Sequence, residues 1–153
     1  MVRLKDMPEP AQKHLTSVEC PTFKTRPWVT GPLLKERRVA IISTAGLHLR
    51  GDRPFMPPYE DYRIIAGNTK AGNLVMTHLS TNFDRTGFQQ DWNVVFPIDR
   101  LRDMADQGLI ESVASFHYSF MGAVYPDKLE PAVRQLAGVL KGDAVNAVLL
   151  VPV

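Results

Sequence analysis

The sequence predicts a layered α/β domain around a mostly parallel central sheet, of the Rossmann-like or flavodoxin-like kind. Two runs, Val39-Ala40-Ile41-Ile42-Ser43-Thr44 and Val145 to Val153, are almost continuously apolar, the pattern of strands buried on both faces. Between them lie two segments with helical apolar spacing, one opening at Pro97 and one at Asp127. Strands alternating with helices favour parallel pairing, because each helix carries the chain back to the end of the sheet where the next strand starts. With 153 residues, 44% of them hydrophobic, the chain can bury one core and is short for two.

Residues 1–35 are read as an extended amino-terminal arm and 36–153 as a single α/β domain. Pro8, Pro10, Pro21, Pro27 and Pro32 break any period in the arm, apart from one short helix expected over Ala11 to Val18. Phe23 and Trp28 are its apolar means of attachment. Lys35-Glu36-Arg37-Arg38 forms a solvated lead into the Val39 strand, which should end in a turn through Gly46 and Gly51. The chain is irregular from Pro54 to Pro58. Tyr62-Arg63-Ile64-Ile65 and Leu74-Val75-Met76-Thr77 follow as strands, connected through Gly67-Asn68 and Gly72-Asn73.

Pro97 suits a first helical position, where a missing N–H costs nothing, and Ile98, Leu101 and Ala105 continue at helical spacing to a stop at Gly108. Ile110 to Phe120 mixes β-branched and aromatic residues and reads as a strand running into a loop. Asp127 with Glu130 resembles a capping pair, and Leu129, Val133, Leu136, Ala137 and Leu140 share one helical face before Gly142. That helix delivers the chain to the terminal strand.

Composition excludes several function classes. Eighteen Lys and Arg against sixteen Asp and Glu leave an excess of two, too small for a nucleic-acid footprint. No stretch reaches the roughly 18 apolar residues of a membrane span, and no basic-then-apolar leader opens the chain, so the expected location is cytoplasmic. The single cysteine, Cys20, rules out an internal disulfide and a multi-cysteine metal cluster, and no basic cluster beside it favours a thiolate.

Polar residues that follow strands lie along the carboxyl edge of a parallel sheet, where sites of this architecture form. Thr44, Gly46, His48 and Arg50 follow the Val39 run, His78 and Asp84 the Leu74 run, and His117, Tyr118 and Ser119 end the Ile110 run. The glycines match neither a dinucleotide nor a phosphate-loop fingerprint. Three histidines and a carboxylate could serve a metal, but no two of them share a short ligand spacing, and a metal-free polar pocket is the preferred reading. Trp92 is read as a loop anchor, and the methionines as packing.

Four segments in fixed order then carry a resemblance: Val39 to Arg53 with Thr44-x-Gly46-x-His48-x-x-Gly51, Tyr62 to Ile65, Asp91 to Leu101 reading D-W-N-V-V-F-P-I-D-R-L, and His117-Tyr118-Ser119-Phe120-Met121-Gly122. From about Pro21 to Val153 the chain resembles the selenoprotein B component of the glycine, sarcosine and betaine reductases and its D-proline reductase relatives. It departs at Asn82-Phe83-Asp84, where that pattern has His-[Phe/Tyr]-Asp, and at Gly87, where an acidic residue is common.

The resemblance implies a reductive cleavage of a carbon–nitrogen bond. In that family the strand corresponding to Val145–Val153 is followed directly by selenocysteine or cysteine, so the nucleophile is expected after Val153 and the sequence reads as the amino-terminal fragment of a longer selenoprotein, inactive alone. The substrate is a small amino-acid-like molecule. A pyruvoyl group on a partner subunit serves as electron sink by forming an imine with the amine, and a selenol/thiol redox partner completes the cycle. His48, His78, Asp84, His117 and Tyr118 are then candidates to shape the pocket, with Thr44, Gly46, Arg50 and Ser119 toward the substrate and no metal. A homo-oligomer is expected. A small interaction module and a histidine–carboxylate metallohydrolase remain as other readings of the same residues.

Overall fold

A computed structural model covers the chain and describes residues 3–17, 19, 21–22, 24–79, 85–122 and 124–153. Its strands are β1 (Arg38–Ser43), β2 (Leu47–Leu49), β3 (Tyr62–Ala66), β4 (Leu74–Met76), β5 (Ser112–Val113), β6 (Phe116–Phe120) and β7 (Ala147–Val151). Its α-helices are α1 (Glu9–Ser17), α2 (Thr86–Gln90), α3 (Ile98–Asp106) and α4 (Pro126–Gly142).

The main sheet is organised around β1. On one side β1 pairs in parallel with β7, from Val39 opposite Ala147 to Ser43 opposite Val151. On the other it meets β5 and then β6, both parallel, with Val39 opposite Val113 and Ile42 opposite Tyr118. β3 closes that side antiparallel to β6. The predicted α/β class with a mostly parallel central sheet is therefore what forms. β2 and β4 make a separate antiparallel ladder.

Alternation along β1 gives the sheet two faces. Val39 and Ile41 join a core with Val95, Phe96, Ile98 and Leu101, so α3 and the turn before it cover one face. Ile42 faces the other way, toward Tyr118, Phe120 and Leu136 of α4. Completely burying a leucine such as Leu136 contributes about 2 kcal/mol.

Several expectations need correction. The Val145 run does form a strand, but it is the outer strand of the sheet and not one buried on both faces: Leu150 is 65% exposed and Val148 40%. The reason is lateral: α4 lies over Ile42, Tyr62 and β6, and its apolar side does not reach β7. Trp28 does not attach the arm, since it is 85% exposed. Val18, Cys20 and Phe23 lie outside the described residues. The expected turn through Gly46 and Gly51 contains β2, which exists because β4 supplies its hydrogen-bonding partner. Pro97 caps α3 from just outside, and Gly108, at φ +69°, ends that region in the left-handed conformation glycine favours.

The Ile110 strand is broken at Ala114-Ser115 into β5 and β6. α4 is not capped by Asp127: Tyr125 holds the cap position and Pro126 opens the helix, leaving Asp127 in the first turn, where its charge suits the helix dipole. Its inner face runs Leu129, Ala132, Leu136 and Leu140, while Val133 is turned to solvent.

The break between β5 and β6 is held by a charged clamp. Arg38 donates to Asp143 Oδ1 at 2.6 Å, and Asp143 Oδ2 accepts the Ser115 N–H at 2.9 Å. Burial alone would raise the Asp143 carboxyl, but the Arg38 bond and the backbone N–H groups outweigh it and hold the group below the usual range.

Candidate active site

The carboxyl ends of β1 and β7 meet at Thr44. Its N–H donates to Val151 O at 3.1 Å, and its hydroxyl accepts the Val153 N–H at 2.8 Å. Its carbonyl accepts the Gly122 N–H at 2.9 Å and a hydrogen bond from the His78 ring. Three segments distant from it in sequence thus converge on Thr44.

Gly46 and Gly122 make that convergence possible. Gly46 has φ +65°, and a Cβ there would stand 2.9 Å from Met121 Cε and 3.2 Å from the His78 N. A Cβ on Gly122 would stand 3.1 Å from Val153 O, 3.2 Å from Thr44 O and 3.3 Å from His78 Cε1. These are backbone and ring atoms that cannot swing away. The sequence reading included Gly46 and passed over Gly122, although Gly122 closes the quoted H-Y-S-F-M-G segment.

His78 is buried, which lowers its pKa, and the Arg85 charge lowers it further, while its bond to Thr44 pulls the other way. The net direction is down, so the imidazole is neutral near pH 7. Arg85 also donates to the His78 carbonyl, a contact that sequence gave no means of finding.

The other candidates lie elsewhere. β2 steps away from this junction: Leu47 is opposite Met76, His48 opposite Val75, and the Arg50 N–H reaches Asn73 O. His48 is buried with Nδ1 2.9 Å from Leu49 O, and the Arg50 guanidinium donates to Gly72 O at 3.3 Å.

His117 lies inside the sheet, second in β6 instead of at a strand end. Its Nδ1 accepts the Ile41 N–H at 2.9 Å, supplying the acceptor that β1 lacks where β5 and β6 part. The ring meets Phe96 edge-on at 5.5 Å, and burial pushes its pKa down to about 4. Tyr118, on the opposite face, packs edge-on against Tyr62 at 5.8 Å. Ser119 is fully buried, and its hydroxyl accepts the Leu47 N–H at 2.8 Å. Asp84, with Asn82 and Phe83, lies outside the described residues. Among the described residues no three His, Cys, Asp or Glu side chains gather as metal ligands, and no helix is long and apolar enough to cross a membrane.

The D-W-N-V-V-F-P-I-D-R-L segment is a self-contained tie. Trp92 Nε1 and Asn93 Nδ2 both donate to Asp99 Oδ2, at 2.7 and 3.0 Å, while Asn93 Oδ1 accepts the Asp99 N–H at 3.0 Å. Arg102 spans from Asp99 to the carbonyl of Gly67, joining α3 to the end of β3.

The family model for glycine/sarcosine/betaine reductase selenoprotein B matches residues 16–153. The chain belongs to this family. A member-like relative, the D-proline reductase subunit gamma of Acetoanaerobium sticklandii, is 32% identical over 120 residues, covering 76% of this chain and 49% of that protein. The chain therefore spans about half the length of the curated relative it matches. No solved structure matches it.

Proposed function

We propose that this chain forms the pocket wall of the substrate-reducing component of a glycine, sarcosine, betaine or D-proline type reductase. The observation that supports this best is the junction of Thr44, Gly46, His78 and Gly122 at the end of β7. In the family pattern selenocysteine or cysteine follows this strand, and such a residue after Val153 would emerge beside that junction. Thr44 fixes the strand end, the two glycines let the neighbouring segments pack this closely, and neutral His78 positions Thr44 through its carbonyl. His117, Tyr118 and Ser119 support the sheet beneath, and His48 and Arg50 stand outside this wall.

The chemistry follows from a chalcogen anion held there. Attack on the α-carbon of a small amino-acid-like substrate forms a chalcogen–carbon bond and breaks the carbon–nitrogen bond, whose electron pair leaves with nitrogen and takes up a proton. A pyruvoyl group on a partner subunit is the electron sink the family implies, and a selenol/thiol redox partner brings the two electrons that free the product. The setting is cytoplasmic, with the chain working as one subunit among partners.

The test begins with the coding sequence beyond the Val153 codon, where an in-frame UGA or cysteine codon is expected. The protein continued through that residue, mixed with its partner subunit and a dithiol, should cleave the carbon–nitrogen bond of at least one of glycine, sarcosine, betaine and D-proline, releasing the amine from the first three or opening the ring of the last. Alkylation against pH should reveal a low-pKa chalcogen other than Cys20. A continuation with neither selenocysteine nor cysteine there, or no carbon–nitrogen cleavage of any of the four, overturns the proposal.

A further inference from the structure

The anion contact expected at Arg50 is not at the Thr44 junction, since that guanidinium donates to Gly72 O at 3.3 Å. Arg85 brings a cation there instead. It donates to the His78 carbonyl, and among the described residues it is the one whose charge acts on the His78 ring. That ring bonds Thr44 O, and its Cε1 and the Val153 carbonyl both lie within 3.3 Å of the point a Cβ on Gly122 would occupy. One residue, His78, thus links the guanidinium to the end of β7. The position is fixed from the other side by α2: the Arg85 carbonyl accepts the Gln89 N–H at 3.1 Å, and Phe88 packs against the core. A guanidinium has five N–H donors, and among the described residues no carboxylate pairs with this one.

We infer that Arg85 holds the carboxylate of the reductase substrate and so selects carboxylate-bearing amines over neutral ones. The inference rests on the reductase reading above. Glycine, sarcosine, betaine and D-proline differ at nitrogen and share a carboxylate bonded to the carbon under attack. That bond is about 1.5 Å long and a charge-assisted N–H···O contact about 2.8 Å, so the cation that holds the carboxylate must stand within a few ångströms of the reacting carbon. A nucleophile following Val153 would leave the strand at the carbonyl that shares Gly122 with the His78 ring. Charge gives a second reason. The attacking chalcogen and the carboxylate are both anions, and in a site closed to water their repulsion is offset by a guanidinium bonded to the carboxylate. Neutral His78 supplies no such charge.

Titration calorimetry tests this on the protein continued past Val153, in complex with its partner subunit and without dithiol. Binding of glycine, sarcosine, betaine and D-proline is measured beside that of the primary amide of each. At least one acid should bind more tightly than its amide by on the order of 10- to 100-fold. Arg85→Gln, checked for native circular dichroism, should remove that difference. Arg85→Lys, which keeps the charge and loses the two-pronged contact, should retain only part of it, and it carries the same test where the glutamine variant folds poorly. Equal binding of acid and amide by the unaltered protein, or an acid preference unchanged in either variant, would overturn the inference. So would a lowered unfolding temperature in Arg85→Gln with acid binding intact, the mark of an ion pair within the protein. Turnover with dithiol is read separately: acids that bind through Arg85 and are not cleaved would end the reductase reading and leave Arg85 as a carboxylate site.

Discussion

The internal histidine gives a prediction whose sign and size follow directly from its surroundings. His117 has a folded pKa of about 4 against an ordinary histidine value of 6.5, because burial penalises the imidazolium. The folded state therefore takes up the proton less readily than the unfolded chain. Its contribution is complete above pH 6.5 and is lost progressively as the pH falls toward 4, below which this group removes nothing more. At about 1.4 kcal/mol per unit, the loss across that window is about 3 kcal/mol, a large part of a small domain's stability. Protonation also costs Ile41 its acceptor, since Nδ1 then carries a hydrogen. Urea unfolding between pH 7 and 4, with the imidazole resonance of His117 followed by NMR, measures both quantities. His117→Asn, which keeps an oxygen near the Nδ1 position, should be less stable at pH 7 and should flatten the pH dependence. A His117 resonance titrating near 6.5, or an unchanged pH dependence in His117→Asn, would refute the argument that this ring is a buried ladder acceptor.

Three further outcomes are expected. Ser119→Ala strands the buried Leu47 N–H and should cost about 1–3 kcal/mol in urea unfolding, an effect absent if the hydroxyl serves only a ligand. Asp143→Ala removes charge-assisted bonds to Arg38 and to Ser115 and should cost about 2–3 kcal/mol at pH 7, shrinking below the ordinary carboxylate pKa, where the wild-type group loses its advantage. Gly122→Ala forces a methyl against Val153 O, Thr44 O and His78 Cε1 and should cost about 1–3 kcal/mol. Amide exchange should quicken at Val153 first, and uniform exchange with no change there would count against the junction.

By itself the sequence determined what local pattern can encode. Continuous apolar runs placed β1 and β7, helical spacing placed α3 and α4, and ordered motifs identified the reductase selenoprotein B family along most of the chain. Local pattern also marked Thr44, Gly46 and His78 as polar residues following strands. What it could not encode was lateral order. An apolar run reads the same at the centre of a sheet and at its edge, so only the tertiary structure showed β7 outermost, because α4 settles over β6 and β1 and leaves the Val148 and Leu150 face of β7 uncovered. β2 is too short to show a period, and it is a strand only because β4 lies beside it. His117 and Tyr118 are neighbours in sequence yet point to opposite faces, one feeding the Ile41 N–H and one packing on Tyr62. Thr44 and Val153 are 109 positions apart, and their hydrogen bond exists only once β1 and β7 pair in register. Polarity after a strand is written in the sequence, but which strand ends share a corner is decided by the packing of the sheet.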